Sequence, residues 1–128
     1  MMIKKEIISR NPLLNLGFEN EYILQSGGLG AVLAHAGVGK TALLVQMALH
    51  AMMNEQPVLH VSLNDAVSKV DIWYRELFHD MASKNDSAEI TEYWENILNY
   101  RFIMTFRVEG FSVPKLEERL TDLMQQNI

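Results

Sequence analysis

Between residues 70 and 81, Val70, Trp73, Tyr74, Leu77, Phe78 and Met81 fall at i, i+3, i+4, i+7, i+8 and i+11, the spacing of one apolar helix face. The same spacing returns after the polar break SKNDS in Ile90, Tyr93, Trp94, Ile97 and Leu98, with Asp86 or Ser87 placed to cap the second helix. An earlier helix is expected from Lys40 to Met53. It is apolar on nearly every side, which suits a helix wedged between a sheet and other elements, and NEQP stops it.

Three other apolar runs lack the helical period. GAVLA (30–34) is apolar without alternation, as strands covered on both faces are. PVLHVSL (57–63) is rich in β-branched residues and has a proline only at its first position, where no ladder donor is lost; Asn64-Asp65 then offers a helix cap. RFIMTFRV (101–108) reads as a third strand. After Gly110, Ser112 can cap a last helix that tolerates Pro114 in its first turn and carries Val113, Leu116, Leu120, Leu123 and Met124 on one face. Residues 1–28 are poorly periodic: Asn11-Pro12 could open a short helix through PLLNLGF, and Gly27-Gly28 closes this lead-in as a turn.

The resulting order, β-α-β-α-α-β-α, predicts an α/β fold in three layers, a mostly parallel sheet with helices on its faces. A chain of 128 residues that is 48% hydrophobic suits one domain, with a lead-in over 1–28 and a core over 29–128. Ligands of such sheets lie beyond the carboxyl ends of strands. The two candidate places are the bend after 30–34 and NDAVSK after 57–63.

Net charge −5 and a pI near 5.3 argue against a surface that holds nucleic acid by general phosphate attraction. Without cysteine, neither disulfides nor thiolate metal sites are available. No segment has the length and apolarity of a signal peptide core or a bilayer span, so the expectation is a cytoplasmic protein without a membrane partner. His60 and His79 have no second histidine at metal-ligand spacing.

The bend itself carries chemistry. AHAGVGKT (34–41) matches G-x-x-x-x-G-K-[ST] with Ala34 in the first glycine place, the next smallest side chain. Backbone N–H groups of His35, Ala36, Gly37, Val38, Gly39, Lys40 and Thr41 can curl into an anion-binding nest at a helix start. Gly37 and Gly39 permit close approach or positive φ, Lys40 can reach β and γ phosphates, and the Thr41 hydroxyl can ligate Mg²⁺. His35, a lone loop histidine, is more often solvated than catalytic.

With its flanks, VLAHAGVGKTALLVQMALHAMMNEQPVLHVSLND resembles the ATPase core of RecA-like P-loop proteins, especially the KaiC-type and replicative-helicase C-terminal branch. The likeness covers about residues 28–80. It implies ATP and Mg²⁺ as cofactors, assembly into a homo-oligomer or with a partner subunit, and nucleic acid as a partner through the family alone.

Two departures bear on catalysis. Where the family's second strand ends in a glutamate that activates water, this chain has Asn64, which cannot accept that proton; Asp65 follows one residue later and is expected to cap the next helix. No four-residue apolar run ending in aspartate is present; the third strand ends near Arg107 and Glu109, and the sequence stops as if cut before the Walker B strand, an incomplete version of the fold. The expected function is nucleotide binding with weak or no hydrolysis by this chain alone. One alternative is an ATPase completed by a partner chain or further sequence, with Asp65 and Glu109 as the candidate catalytic residues here. Another is a regulatory or scaffold module with a vestigial loop, whose contact surface would be Trp73, Tyr74, Phe78, Tyr93 and Trp94; these are expected to pack as core.

Overall fold

The computed structural model describes residues 27, 29, 31, 33, 39–82 and 87–126. Among them are α1 (Lys40–Met53), β1 (Val58–Leu63), α2 (Val67–Ala82), α3 (Ser87–Ile97), β2 (Arg101–Phe106) and α4 (Val113–Gln125), with 3-10 turns at Leu98–Tyr100 and Val108–Gly110. This is a mixed α/β arrangement in the order the periodicities predict from residue 40 onward.

The two strands pair in parallel, Val58 opposite Arg101 through Leu63 opposite Phe106. A parallel pair needs a long crossover, which α2 and α3 supply. Side chains alternate across the strands, so Val58, His60, Ser62, Arg101, Ile103 and Thr105 share one face.

The core forms where three helical stripes converge. Val45, Leu49, Met52 and Met53 of α1 meet Val70, Tyr74, Phe78, Met81 and Ala82 of α2 and Ile90, Tyr93, Trp94 and Ile97 of α3, with Val58 and Ile103 packed against them. Phe78 is its centre, 5.0 Å between ring centroids from Trp94 and 6.0 Å from Tyr93. The regular stripe in α2 explains this convergence: residues three and four apart stack on one face, and that face is aromatic.

Several expectations are corrected. The run 30–34 was expected to be a buried strand; Gly30, Val32 and Ala34 lie outside the described residues, while Ala31 and Leu33 belong to no strand and Leu33 is 92% exposed. Helix α1 buries one side only, since Thr41, Ala42 and Leu44 are exposed. Asp65 does not cap α2: the Ala66 carbonyl accepts from Lys69 and Val70 N–H, and Asp65 instead meets Lys69 Nζ at 3.0 Å.

On α4, Ser112 does cap the helix, its Oγ accepting from Lys115 N–H at 3.3 Å. Of the residues expected to share one face, Leu116, Leu120 and Leu123 are half-buried while Val113 and Met124 are exposed. Gly27 sits in a turn at φ 76; the rest of the lead-in, residues 1–26 and 28, lies outside the described residues. Among those described, no helix is long and apolar enough to cross a membrane.

Candidate functional site

The bend's last glycine fixes how α1 begins. Gly39 stands at φ 94, a left-handed conformation that an L side chain enters only with strain, and a Cβ built there meets nothing within 4 Å. The backbone angle, not the space, therefore demands glycine. The Gly39 carbonyl accepts the Leu43 N–H at 3.0 Å, so the helix starts at Lys40, and among the described residues no side chain caps its amino end.

First-turn amides have no acceptor within their own helix and carry the positive end of its dipole. Lys40 is half-buried and Thr41 exposed in this turn. Of the remaining cradle positions, His35, Ala36, Gly37 and Val38 lie outside the described residues.

A second arrangement closes the carboxyl ends of the strands. Asn64 follows β1 at φ 73, a conformation asparagine tolerates better than most residues. Its N–H donates to the Phe106 carbonyl at 2.7 Å, and its side-chain Oδ1 accepts the Val108 N–H at 2.9 Å. The place where the resemblance expects a glutamate is thus a clamp between the two strand ends. Its oxygen is committed to a backbone amide. Glu109 is exposed in the 3-10 turn that this clamp holds, while Asp65 is paired with Lys69. Asn64 and the Glu109 turn are brought together; Asp65 does not join them through any hydrogen bond among the described residues.

Between α2 and the sheet lies a polar layer that periodicity does not reveal. Arg101 Nη2 donates to Asp71 Oδ1 at 2.8 Å, and Arg75 Nε to Asp71 Oδ2 at 2.7 Å. The Arg101 guanidinium lies 4.7 Å from the Tyr74 ring centroid and 5.9 Å from that of Trp94. Tyr74 Oη is 2.7 Å from His60 Nδ1. Burial pushes Tyr74 up to about 12, partly offset by Arg101. Burial also lowers His60, and the Arg101 charge lowers it further. Burial works to raise Asp71, but bonds from Arg101 and Arg75 outweigh it and hold the carboxyl below its usual range. Asp71 and Arg75 stand at helical i,i+4 spacing, but His60–Tyr74 and Asp71–Arg101 are 14 and 30 residues apart, so no local spacing could find those two.

The aromatic residues considered as a contact surface are mostly interior. Tyr74, Phe78, Tyr93 and Trp94 are buried, and Trp73 is half-buried against the same cluster. No group of three or more His, Cys, Asp or Glu residues is placed to hold a metal among the described residues. In comparisons with known proteins, the chain matches no family model, no curated protein and no solved structure.

Proposed function

We propose that this chain binds a nucleoside triphosphate, ATP by the resemblance to RecA-like proteins, through the loop that leads into α1. It hydrolyses that nucleotide weakly or not at all on its own. The observation that carries the reading is Gly39 at φ 94, directly ahead of Lys40 and Thr41 at the amino end of a 14-residue helix that no side chain caps among the described residues. That arrangement fits a phosphate: it offers backbone donors, a favourable dipole end and a lysine in one turn.

Lys40 would neutralise phosphate charge and the exposed Thr41 hydroxyl would serve as an Mg²⁺ ligand, with His35, Ala36, Gly37 and Val38 completing the cradle. Bound ATP with Mg²⁺ supplies a reactive phosphoanhydride; the chain supplies binding and orientation. Weak hydrolysis follows from Asn64, a neutral amide whose oxygen already accepts from Val108. An ATPase completed by other sequence, using Glu109 or Asp65, is the enzymatic form of the same reading.

The fold in this proposal is the three-layer RecA-like one, of which the parallel β1–β2 pair and its helices would form part. The cellular location is cytoplasmic. Assembly with another copy or a partner subunit would cover the outer edges of β1 and β2, which have no strand neighbour among the described residues. Light scattering that finds only monomer at high concentration counts against the assembly.

The binding test is a thermal melt with ATP and Mg²⁺. Ligand bound only to the native state raises Tm by mass action, and Lys40→Ala should remove the rise. No shift at millimolar nucleotide, or an equal shift in Lys40→Ala, overturns the proposal.

A further inference from the structure

The cleft between α4 and the outer face of β2 holds about 470 Å³ and opens to solvent. Phe102 and Val67 line it and are 38% and 49% exposed, so a partner can reach their apolar surface; half-buried Leu123 adds to it from α4. Leu59, 39% exposed, stands opposite Phe102 in the ladder and carries that surface on to β1. Reachable apolar surface edged by charged groups is the composition of an interaction site.

The charged groups of the cleft have an arrangement of their own. Arg119, Asp122 and Gln126 line it at i, i+3 and i+7, hence on one side of α4. Arg119 and Asp122 are opposite in sign and one turn apart, yet neither forms an ion pair among the described residues. The Arg119 guanidinium lies instead 5.7 Å from the Phe106 ring centroid, over the sheet. A partner that satisfies both charges must carry them in the reverse order.

A second α4 laid antiparallel to the first has that order by symmetry. With a two-fold axis between Leu120 and Thr121, Arg119 of each copy faces Asp122 of the other. Lys115, one turn earlier on the same side of the helix, then falls opposite Gln126, so no like charges meet across the axis.

We infer that a second copy of this chain docks on this face, α4 against α4, with Phe102 and Leu123 of each copy covered and two Arg119–Asp122 pairs closing the contact. A partner surface of a single charge would leave Arg119 or Asp122 facing its like. The apolar surface on offer is a few side chains, so the dimer is weak, with a dissociation constant on the order of 10–100 μM. In dilute solution the chain is a monomer and the face stays open. The contact uses neither the strand edges nor the phosphate cradle, so it stands apart from edge-to-edge assembly and from nucleotide binding.

Sedimentation equilibrium of the full chain, from about 1 to 500 μM, should show a monomer–dimer equilibrium that added salt weakens. Arg119→Glu and Asp122→Arg should each weaken it about tenfold or more, because each sets like charges together twice across the axis. The decisive arm mixes the two variants: each then supplies the charge the other lacks, and one-to-one heterodimers should form near wild-type affinity. A merely misfolded variant would not be rescued in this way, and circular dichroism of each variant at low concentration should match the parent. A monomer at every concentration, as when another segment of the chain covers the cleft, overturns the inference. So does a dimer indifferent to both reversals, as when strand edges pair instead, or a mixture that restores no heterodimer.

Discussion

On one face of the β1–β2 pair, His60 and Ser62 sit opposite Ile103 and Thr105 under the aromatic stripes of α2 and α3, and Ser62 is only 7% exposed. On the other, Leu59, Leu63 and Phe102 remain 38–40% exposed, and α4 has no buried residue. Yet α4 separates its apolar and polar positions at least as cleanly as α2 does in sequence. Amphipathic patterning states which side of a helix can be buried. How much is buried depends on the surface it meets. Helices α1, α2 and α3 meet one another as well as the sheet, whereas α4 contributes Arg119, Asp122 and Leu123 to an open cleft beside Phe102 and Met104.

The largest expected effect tests that difference directly. Phe78 is fully buried at the meeting of α2 with α3, and Phe78→Ala should cost about 3–5 kcal/mol, lost transfer energy plus a cavity. Phe106, half-buried on the other face against Phe111 at 5.4 Å, should cost about 1–2 kcal/mol as Phe106→Ala. Chemical denaturation monitored by tryptophan fluorescence gives both numbers. Equal costs would mean that the two faces are closed to the same degree.

A smaller effect comes from the polar layer on the closed face. The folded-state pKa of His60 lies below its unfolded value of 6.5, because burial and then Arg101 oppose the imidazolium. Between those two values the unfolded chain binds more protons, so stability is whole above pH 6.5 and falls as pH drops toward the folded pKa. Asp71 acts in a lower window, since its depressed pKa holds stability above its unfolded value of 3.8 and loses it only below that value. Melts across pH 2 to 8 should therefore show a fall beginning near pH 6.5, which His60→Gln removes while the acid limb below 3.8 persists. An unchanged profile in His60→Gln would place the titration elsewhere.

These two regions also differ in how far sequence reveals them. The helical stripe from Val70 to Met81 is legible because helix burial is periodic within one element, and the bounds of α1 are legible because NEQP cannot continue it. The glycine demand at Gly39 is legible too, since the motif specifies a backbone nest. Contacts that cross elements are not. Asn64 reads as a missing glutamate or a cap until its Oδ1 is found on Val108, 44 residues away. Asp65 reads as a cap because its residue type favours that role, but Lys69 one helical turn on takes its carboxylate. Of 30–34 only Ala31 and Leu33 are described, and neither lies in a strand.

The smallest effect probes the open face at α4 itself. Ser112 Oγ accepts the Lys115 N–H at 3.3 Å, long for such a bond, in a 13-residue helix whose covered residues are only half-buried. Ser112→Ala should then cost about 0.5–1 kcal/mol, the low end for a lost amino-terminal cap. Met124, 75% exposed near the other end of the helix, should change stability by less than about 0.5 kcal/mol as Met124→Ser. Capping would thus outweigh side-chain burial at the ends of α4, the reverse of the order on α2, where Phe78 far outweighs any terminal contact. Denaturation midpoints of the two variants decide it: a Met124→Ser loss larger than that of Ser112→Ala would show that α4 is held by an apolar surface in solution, and the contrast between the faces would fail.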